Sequence, residues 1–165
     1  MNASLERPRG PVQRPRTESR QDYGTPVEFI EAVEKRFGVL AYDLACTREN
    51  AKAPAGFYWP DEDALSKAWW SFTGNLWLNP PFANIDPWAE KLAKECRDRL
   101  GFSFLLTPAS IGTEWFSKHV ATKAIVLGLS PRLTFDGCDD PYPKDLMLSV
   151  YGFGLHGFDT WRWKP

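Results

Sequence analysis

Residues 76–82 read Leu-Trp-Leu-Asn-Pro-Pro-Phe, a run whose side chains suit the chemistry of an amine on a flat ring. A buried strand delivers the Asn79 amide to its carboxyl edge. Two prolines then remove two N–H donors and stiffen the chain. The ring of Pro81 limits rotation at Pro80, so the Pro80 carbonyl is expected to face the crevice. Phe82 adds a planar face. Two acceptors beside a stacking ring hold both N–H bonds of an exocyclic amine, such as N6 of adenine, and turn its lone pair out of conjugation. They also stabilise the positive charge that develops on nitrogen when it is alkylated. No strong base is needed first.

Each residue also has a plainer reading. Asn79 can be a polar turn residue, Pro80 and Pro81 strand terminators, and Phe82 part of the core. Asp43 follows the apolar run Val39–Tyr42. It either caps the next turn or binds a cofactor's amino group or hydroxyls. Thr25, Pro26 and Glu28 form a helix-start signal, with Thr25 as N-cap, Pro26 at the first helical position and Glu28 completing a capping box. Tyr23 either stacks beside a ligand or packs. Arg132 either meets phosphate or is a surface charge.

The elements that must position these residues follow from periodicity. Phe29, Ile30, Val33 and Phe37 share one helix face, which Gly38 ends. Residues 75–78 make a strand. A helix near Asp86, with Pro87 at its first position, carries Trp88, Leu92, Cys96 and Leu100 at intervals of four. Residues 102–107 make a strand, Thr113 starts a short helix through His119, and residues 123–129 and 146–153 make two more strands. Residues 161–163 form an edge. Residues 46–74 read as loops with a helical turn around 61–67. Strands alternating with helices across 75–129 predict an α/β protein with mostly parallel strands. In such sheets ligands bind beyond the carboxyl ends of the strands. Asp43, Asn79 and Thr107-Pro108 all fall there.

Composition narrows the classes. The chain has 165 residues, 43% hydrophobic and 25% charged, which suits one folded domain over residues 21–165. It contains no apolar run long enough to span a membrane and no secretory signal at its start. Cys46, Cys96 and Cys138 form no paired motif, and His119 and His156 have no metal-ligand spacing, so no metal is expected and a reducing cytoplasm is. Net charge is −1, yet residues 1–20 carry five arginines (Arg7, Arg9, Arg14, Arg16, Arg20) against two glutamates. With Pro8, Pro11 and Pro15 this is expected to be a disordered basic tail. It is either a solubilising leader or an arm that neutralises phosphates, with Arg14 and Arg16 among its contacts.

The ordered set Asp22-Tyr23-Gly24-Thr25-Pro26, Tyr42-Asp43-Leu44-Ala45-Cys46, Asn50, Trp77-Leu78-Asn79-Pro80-Pro81-Phe82, Leu106-Thr107-Pro108-Ala109 and Pro131-Arg132-Leu133-Thr134-Phe135 resembles the phage-type, Dam-like DNA N6-adenine methyltransferases. The resemblance spans roughly residues 22–153. It implies a compact Rossmann-like methyltransferase fold with a mostly parallel sheet and flanking helices, S-adenosylmethionine as cofactor and DNA as partner. It also implies work inside a bacterial host cell. Catalytic roles then fall on Asn79, Pro80, Pro81 and Phe82. Cofactor contacts fall on Tyr23, Thr25, Pro26, Asp43, Ala45, Asn50 and Asn79, and DNA contacts on Arg132 and Lys144. Two departures are visible: the glycine-rich cofactor turn is absent, with Asp43-Leu44-Ala45-Cys46 in its place, and Phe82 stands for the commoner Tyr.

The same acceptor pair also fits cytosine N4, an RNA base or a glutamine amide. A non-catalytic DNA-binding protein on this fold is a second class. A Trp-rich carbohydrate-binding module is a third, disfavoured by the helix and parallel-strand pattern. An enzyme acting on a base within a duplex must extrude it. Loops 83–86 and 136–145 are the expected readers of DNA. Asp140-Pro141-Tyr142 reads as a loop.

Overall fold

The computed structural model describes residues 23–58 and 62–165. The basic tail, with Arg14 and Arg16, lies outside the described residues, as do Asp22 and Asp61. Helix α1 spans Val27–Phe37, α2 Asp86–Glu95 and α3 Glu114–His119. The strands are β1 (Leu40–Cys46), β2 (Ala55–Tyr58), β3 (Asn75–Leu78), β4 (Ser103–Pro108), β5 (Ile125–Ser130), β6 (Leu146–Tyr151) and β7 (Gly157–Arg162). No described helix is long and apolar enough to cross a membrane.

The strands form one mixed sheet in the order β2-β1-β3-β4-β6-β5-β7. The pairs β2–β1, β1–β3, β3–β4 and β5–β7 are parallel, and β6 runs against both β4 and β5. The chain leaves β1 toward β2 on one side and returns to β3 on the other. The order therefore reverses between β1 and β3, and a crevice opens at their carboxyl ends.

Both sheet faces are covered, which is why β3 is buried along its whole length. Leu76 and Leu78 pack with Trp88, Leu92 and Leu105 on the α2 face. Trp77, between them, points the other way and packs with Phe29, Val33 and Phe104 on the α1 face. The alternation leaves Asn79, the next residue, on the α1 side. At the opposite end of β3, Asn75 acts as a clamp. Its Nδ2 lies 3.1–3.2 Å from the carbonyls of Phe37, Gly38 and Val39, and its Oδ1 accepts from the Phe102 N–H at 2.9 Å. One side chain thus ties the entries of β1 and β4 to β3.

Several expectations are corrected. Thr25 is not the N-cap: Pro26 occupies that position, with no side-chain cap bond, and its carbonyl accepts from the Phe29 N–H at 3.0 Å. The Thr25 hydroxyl is taken instead by the Asn79 amide, which donates to it at 3.2 Å. The interval of four on α2 stops at Cys96, because the helix ends there and Leu100 is 83% exposed. Arg99 draws the chain into a turn, donating to the carbonyls of Phe72 and Gly74. Strand β1 runs on past Asp43 to Cys46, and β2 lies inside the stretch read as loops. The edge strand is Gly157–Arg162, earlier in the chain than residues 161–163.

Candidate active site at the switch point of the sheet

Asn79 emerges directly from β3 into the crevice. Its Nδ2 donates to the Tyr23 carbonyl at 2.6 Å and to the Thr25 hydroxyl oxygen at 3.2 Å. A carbonyl only accepts, so the nitrogen must face Tyr23 and Oδ1 must face away. Pro80 is buried beneath the turn. The Pro81 carbonyl accepts from the Asn84 N–H at 3.1 Å, closing a turn that leads to α2. The motif is therefore a rigid exit from the sheet with the Asn79 oxygen presented outward.

Asp43 is 2% exposed and is the last residue of β1 paired with β3, opposite Trp77. Its Oδ2 accepts from the Lys52 N–H at 2.9 Å and its Oδ1 from the Ala45 N–H at 3.3 Å. Burial pushes its pKa up from 3.8 to about 6, opposed by those backbone N–H groups and by the Lys52 charge. Asp43 thus does cap the turn that follows it. The Cys46 thiol also bonds to the Asp43 carboxylate. A carboxylate offers about four lone-pair directions, so about one direction is left for a ligand's hydroxyl or ammonium.

The other expected cofactor residues divide. Ala45 sits on β1, with its N–H on Asp43. Asn50 is tied inside its own loop, accepting from the Thr47 N–H at 2.6 Å. Tyr23 and Thr25 lie against Asn79, and Pro26 is buried behind them.

Phe82 joins a cluster of four rings. Its centroid lies 6.1 Å from Tyr23, 6.0 Å from Phe135 and 5.6 Å from Tyr142. Tyr142 comes from the Asp140-Pro141-Tyr142 loop, within the stretch 136–145 expected to read DNA, and here it packs on Phe82. Burial among the rings, then Tyr23, pushes its hydroxyl pKa up. A groove of about 280 Å³ opens beside the cluster, lined by Tyr23, Phe135, Cys138, Asp139 and Tyr142 among others. Flat rings at its wall suit a planar ligand.

The segment carrying Tyr23 and Thr25 is held by Asp136, next to Phe135 of the ring cluster. The Asp136 N–H donates to the Gly24 carbonyl at 2.9 Å, and the Asp136 carboxylate takes the Lys52 ammonium at 2.8 Å. A Cβ on Gly24 would stand 2.7 Å from Asp136 Oδ2 and 3.0 Å from its Cβ. Gly24→Ala is therefore expected to destabilise by roughly 1–3 kcal/mol, as overpacking does. Urea denaturation reads this, and adding Asp136→Gly should recover part of the loss. An unchanged midpoint would mean that Asp136 simply swings aside.

Of the expected DNA contacts, Arg132 is engaged within the protein. Its Nε and Nη2 bond Asp145 Oδ1 at 3.0 and 2.9 Å, and its Nη1 bonds the Pro143 carbonyl at 3.1 Å. It braces the loop that carries Tyr142. Lys144 is exposed on the same loop.

Fold and site together define an α/β protein with Asp43 and Asn79 at the reversal of strand order and a cluster of aromatic rings beside Asn79. The family model described as DNA N-6-adenine-methyltransferase (Dam) matches residues 13–144. The DNA N-6-adenine-methyltransferase of Escherichia phage T1 is 32% identical over 127 residues, covering 77% of this chain and 52% of the relative. The chain thus spans about half the length of that curated relative. It belongs to the DNA N-6-adenine-methyltransferase (Dam) family.

Proposed function

We propose that this chain is an S-adenosylmethionine-dependent methyltransferase acting on N6 of adenine in DNA, on a Rossmann-like methyltransferase sheet, in the cytoplasm of a bacterial host. The single observation that carries the reading is the locked amide of Asn79, whose nitrogen is spent on Tyr23 and Thr25, so that its oxygen is turned away from them just beyond the carboxyl end of β3. The family and the name of the phage T1 relative support adenine and DNA.

The donor set suits the cofactor. Asp43 has acceptor capacity for hydroxyl or ammonium groups where β1 leaves its pairing with β3, and Ala45 follows it on the same strand. When bound, S-adenosylmethionine supplies a methyl group made electrophilic by sulfonium. Asn79 Oδ1 and the Pro80 carbonyl would accept hydrogen bonds from the two amine N–H groups and hold the nitrogen lone pair out of the ring; one of these protons leaves to solvent after the N–CH3 bond forms and the sulfonium–methyl bond breaks. Phe82 and its neighbouring rings fix the plane of the base. These groups are in place beforehand, so little reorganisation is needed as charge develops. Reaching such a crevice requires the base to leave the duplex. Lys144 and the residues 1–20, with Arg14 and Arg16, supply phosphate contacts in this reading, and Arg132 keeps the loop in place.

Incubation with cofactor carrying a labelled methyl group, and with DNA, RNA or protein as acceptor, tests the reading. The expected product is N6-methyladenine in DNA after nucleoside analysis. Label in N4-methylcytosine, RNA or protein would replace adenine N6 with another amine. Cofactor binding without transfer to any acceptor would make the chain a non-catalytic member of its family.

A further inference from the structure

We propose that Thr25 is a positioning residue whose hydroxyl holds the Asn79 amide in the orientation that the Tyr23 carbonyl sets, rather than a helix cap or a cofactor contact. The inference rests on Asn79 being the acceptor for the substrate amine. Both protons of Asn79 Nδ2 are consumed, one by the Tyr23 carbonyl at 2.6 Å and one by Thr25 Oγ1 at 3.2 Å. A flipped amide would set Oδ1 against the Tyr23 carbonyl, two acceptors with no proton between them, and turn the nitrogen toward the substrate. An amine offered a donor instead of an acceptor is not held.

Thr25 suits this task for local reasons. It is 2% exposed, and it makes no cap bond to α1. Pro26 holds its backbone extended. Its branched Cβ restricts χ1, so Oγ1 has few directions available. Gly24 and Asp136 pin the backbone on its other side. The hydroxyl is thus buried and already used by the protein, which leaves it poorly placed to greet a ligand. A hydrogen bond between residues 54 apart in sequence joins the start of the chain's described part to the Asn79 turn.

The test compares Thr25→Val, nearly the same shape without the hydroxyl, with Thr25→Ser, which keeps it. Turnover with DNA is expected to fall about tenfold in Thr25→Val, the loss of one neutral hydrogen bond, with KM for cofactor and DNA nearly unchanged. Thr25→Ser should restore most of kcat. In an Asn79→Ala background Thr25→Val should cost nothing further, because the two residues act as a unit. The Asn79 side-chain amide protons, observed by NMR, should exchange faster in Thr25→Val. That readout holds even if the valine variant melts earlier. Normal kcat in Thr25→Val while Asn79→Ala is inactive overturns the positioning role alone. Weaker cofactor binding with unchanged kcat also overturns it and returns Thr25 to the cofactor. Near-normal turnover in Asn79→Ala overturns the reading of Asn79 itself.

Discussion

Asn79→Ala is expected to lower methyl transfer by a factor on the order of 10²–10³ and to leave cofactor affinity nearly unchanged. The estimate is that for removing one preorganised hydrogen-bonding group from a site where charge develops. The geometry explains why the effect is confined to the chemical step. Asn79 follows the last residue of β3, and its loss removes no core side chain. Leu76, Trp77 and Leu78 still fill both faces of the sheet. The Pro80 carbonyl and the ring cluster stay in place, so residual transfer should survive. Single-turnover kinetics with labelled cofactor separates binding from transfer. A variant that binds DNA normally and transfers at the parent rate would remove Asn79 from the reaction. The structure adds a condition: Asn79→Asp should not substitute well. A carboxylate in this position would place an oxygen where Nδ2 now meets the Tyr23 carbonyl at 2.6 Å, with no proton to share.

Asp43→Ala weakens cofactor binding by roughly 1.5–3 kcal/mol, the range for a hydrogen bond to a charged group. Calorimetry with the demethylated product of the cofactor measures it directly, and unchanged affinity would leave Asp43 as a turn cap only. The pH dependence separates the two roles. The carboxyl has its pKa raised to about 6 by burial, against an ordinary value of 3.8. Between about pH 4 and pH 6 the folded chain therefore holds a proton that the unfolded chain has released. Stability falls as pH rises through that window, because the folded state must then bury a charge. The total is roughly 3 kcal/mol. Asp43→Asn should flatten that part of the stability profile. Affinity for a ligand with hydroxyl or ammonium donors runs the other way: it rises with pH up to about 6 and levels off above, as the carboxylate ionises. In Asp43→Asn the affinity should lose this slope. A parent affinity that does not change between pH 5 and pH 7 would count against Asp43 as a ligand contact.

The local features of this chain were legible without coordinates. The apolar interval of α1 and the first three members of the interval on α2 report one buried helix face each. The three apolar residues before Asn79 and the two prolines after it mark a strand and its stop. These signals are carried by neighbours in sequence and by single-residue stereochemistry. Strand β2 was missed because four residues with a glycine, Ala55–Tyr58, show no alternation. The reversal of β6 was hidden because a strand buried on both faces reads alike in either direction.

The polar residues show where sequence stops. Asn75 and Asn79 flank the same apolar run, three residues between them, and local pattern does not rank them. Only the fold sends Asn75 into three backbone carbonyls at the entry of β1 and Asn79 into the crevice at the exit of β3. Thr25 beside Pro26 and Glu28 satisfies every local rule for a helix cap, and its hydroxyl instead meets Asn79 across 54 residues. Arg132 was a free charge until Asp145 and the Pro143 carbonyl were set beside it, and Tyr142 was a loop residue until the loop closed on Phe82. Local pattern is enough for the helices, for most of the strands, for the order of the motifs and for the chemistry that the Asn79 turn can offer. The tertiary structure decided which donor each acceptor meets, because a hydrogen bond depends on an approach of about 3 Å between specific atoms, and chain distance carries no information about that approach.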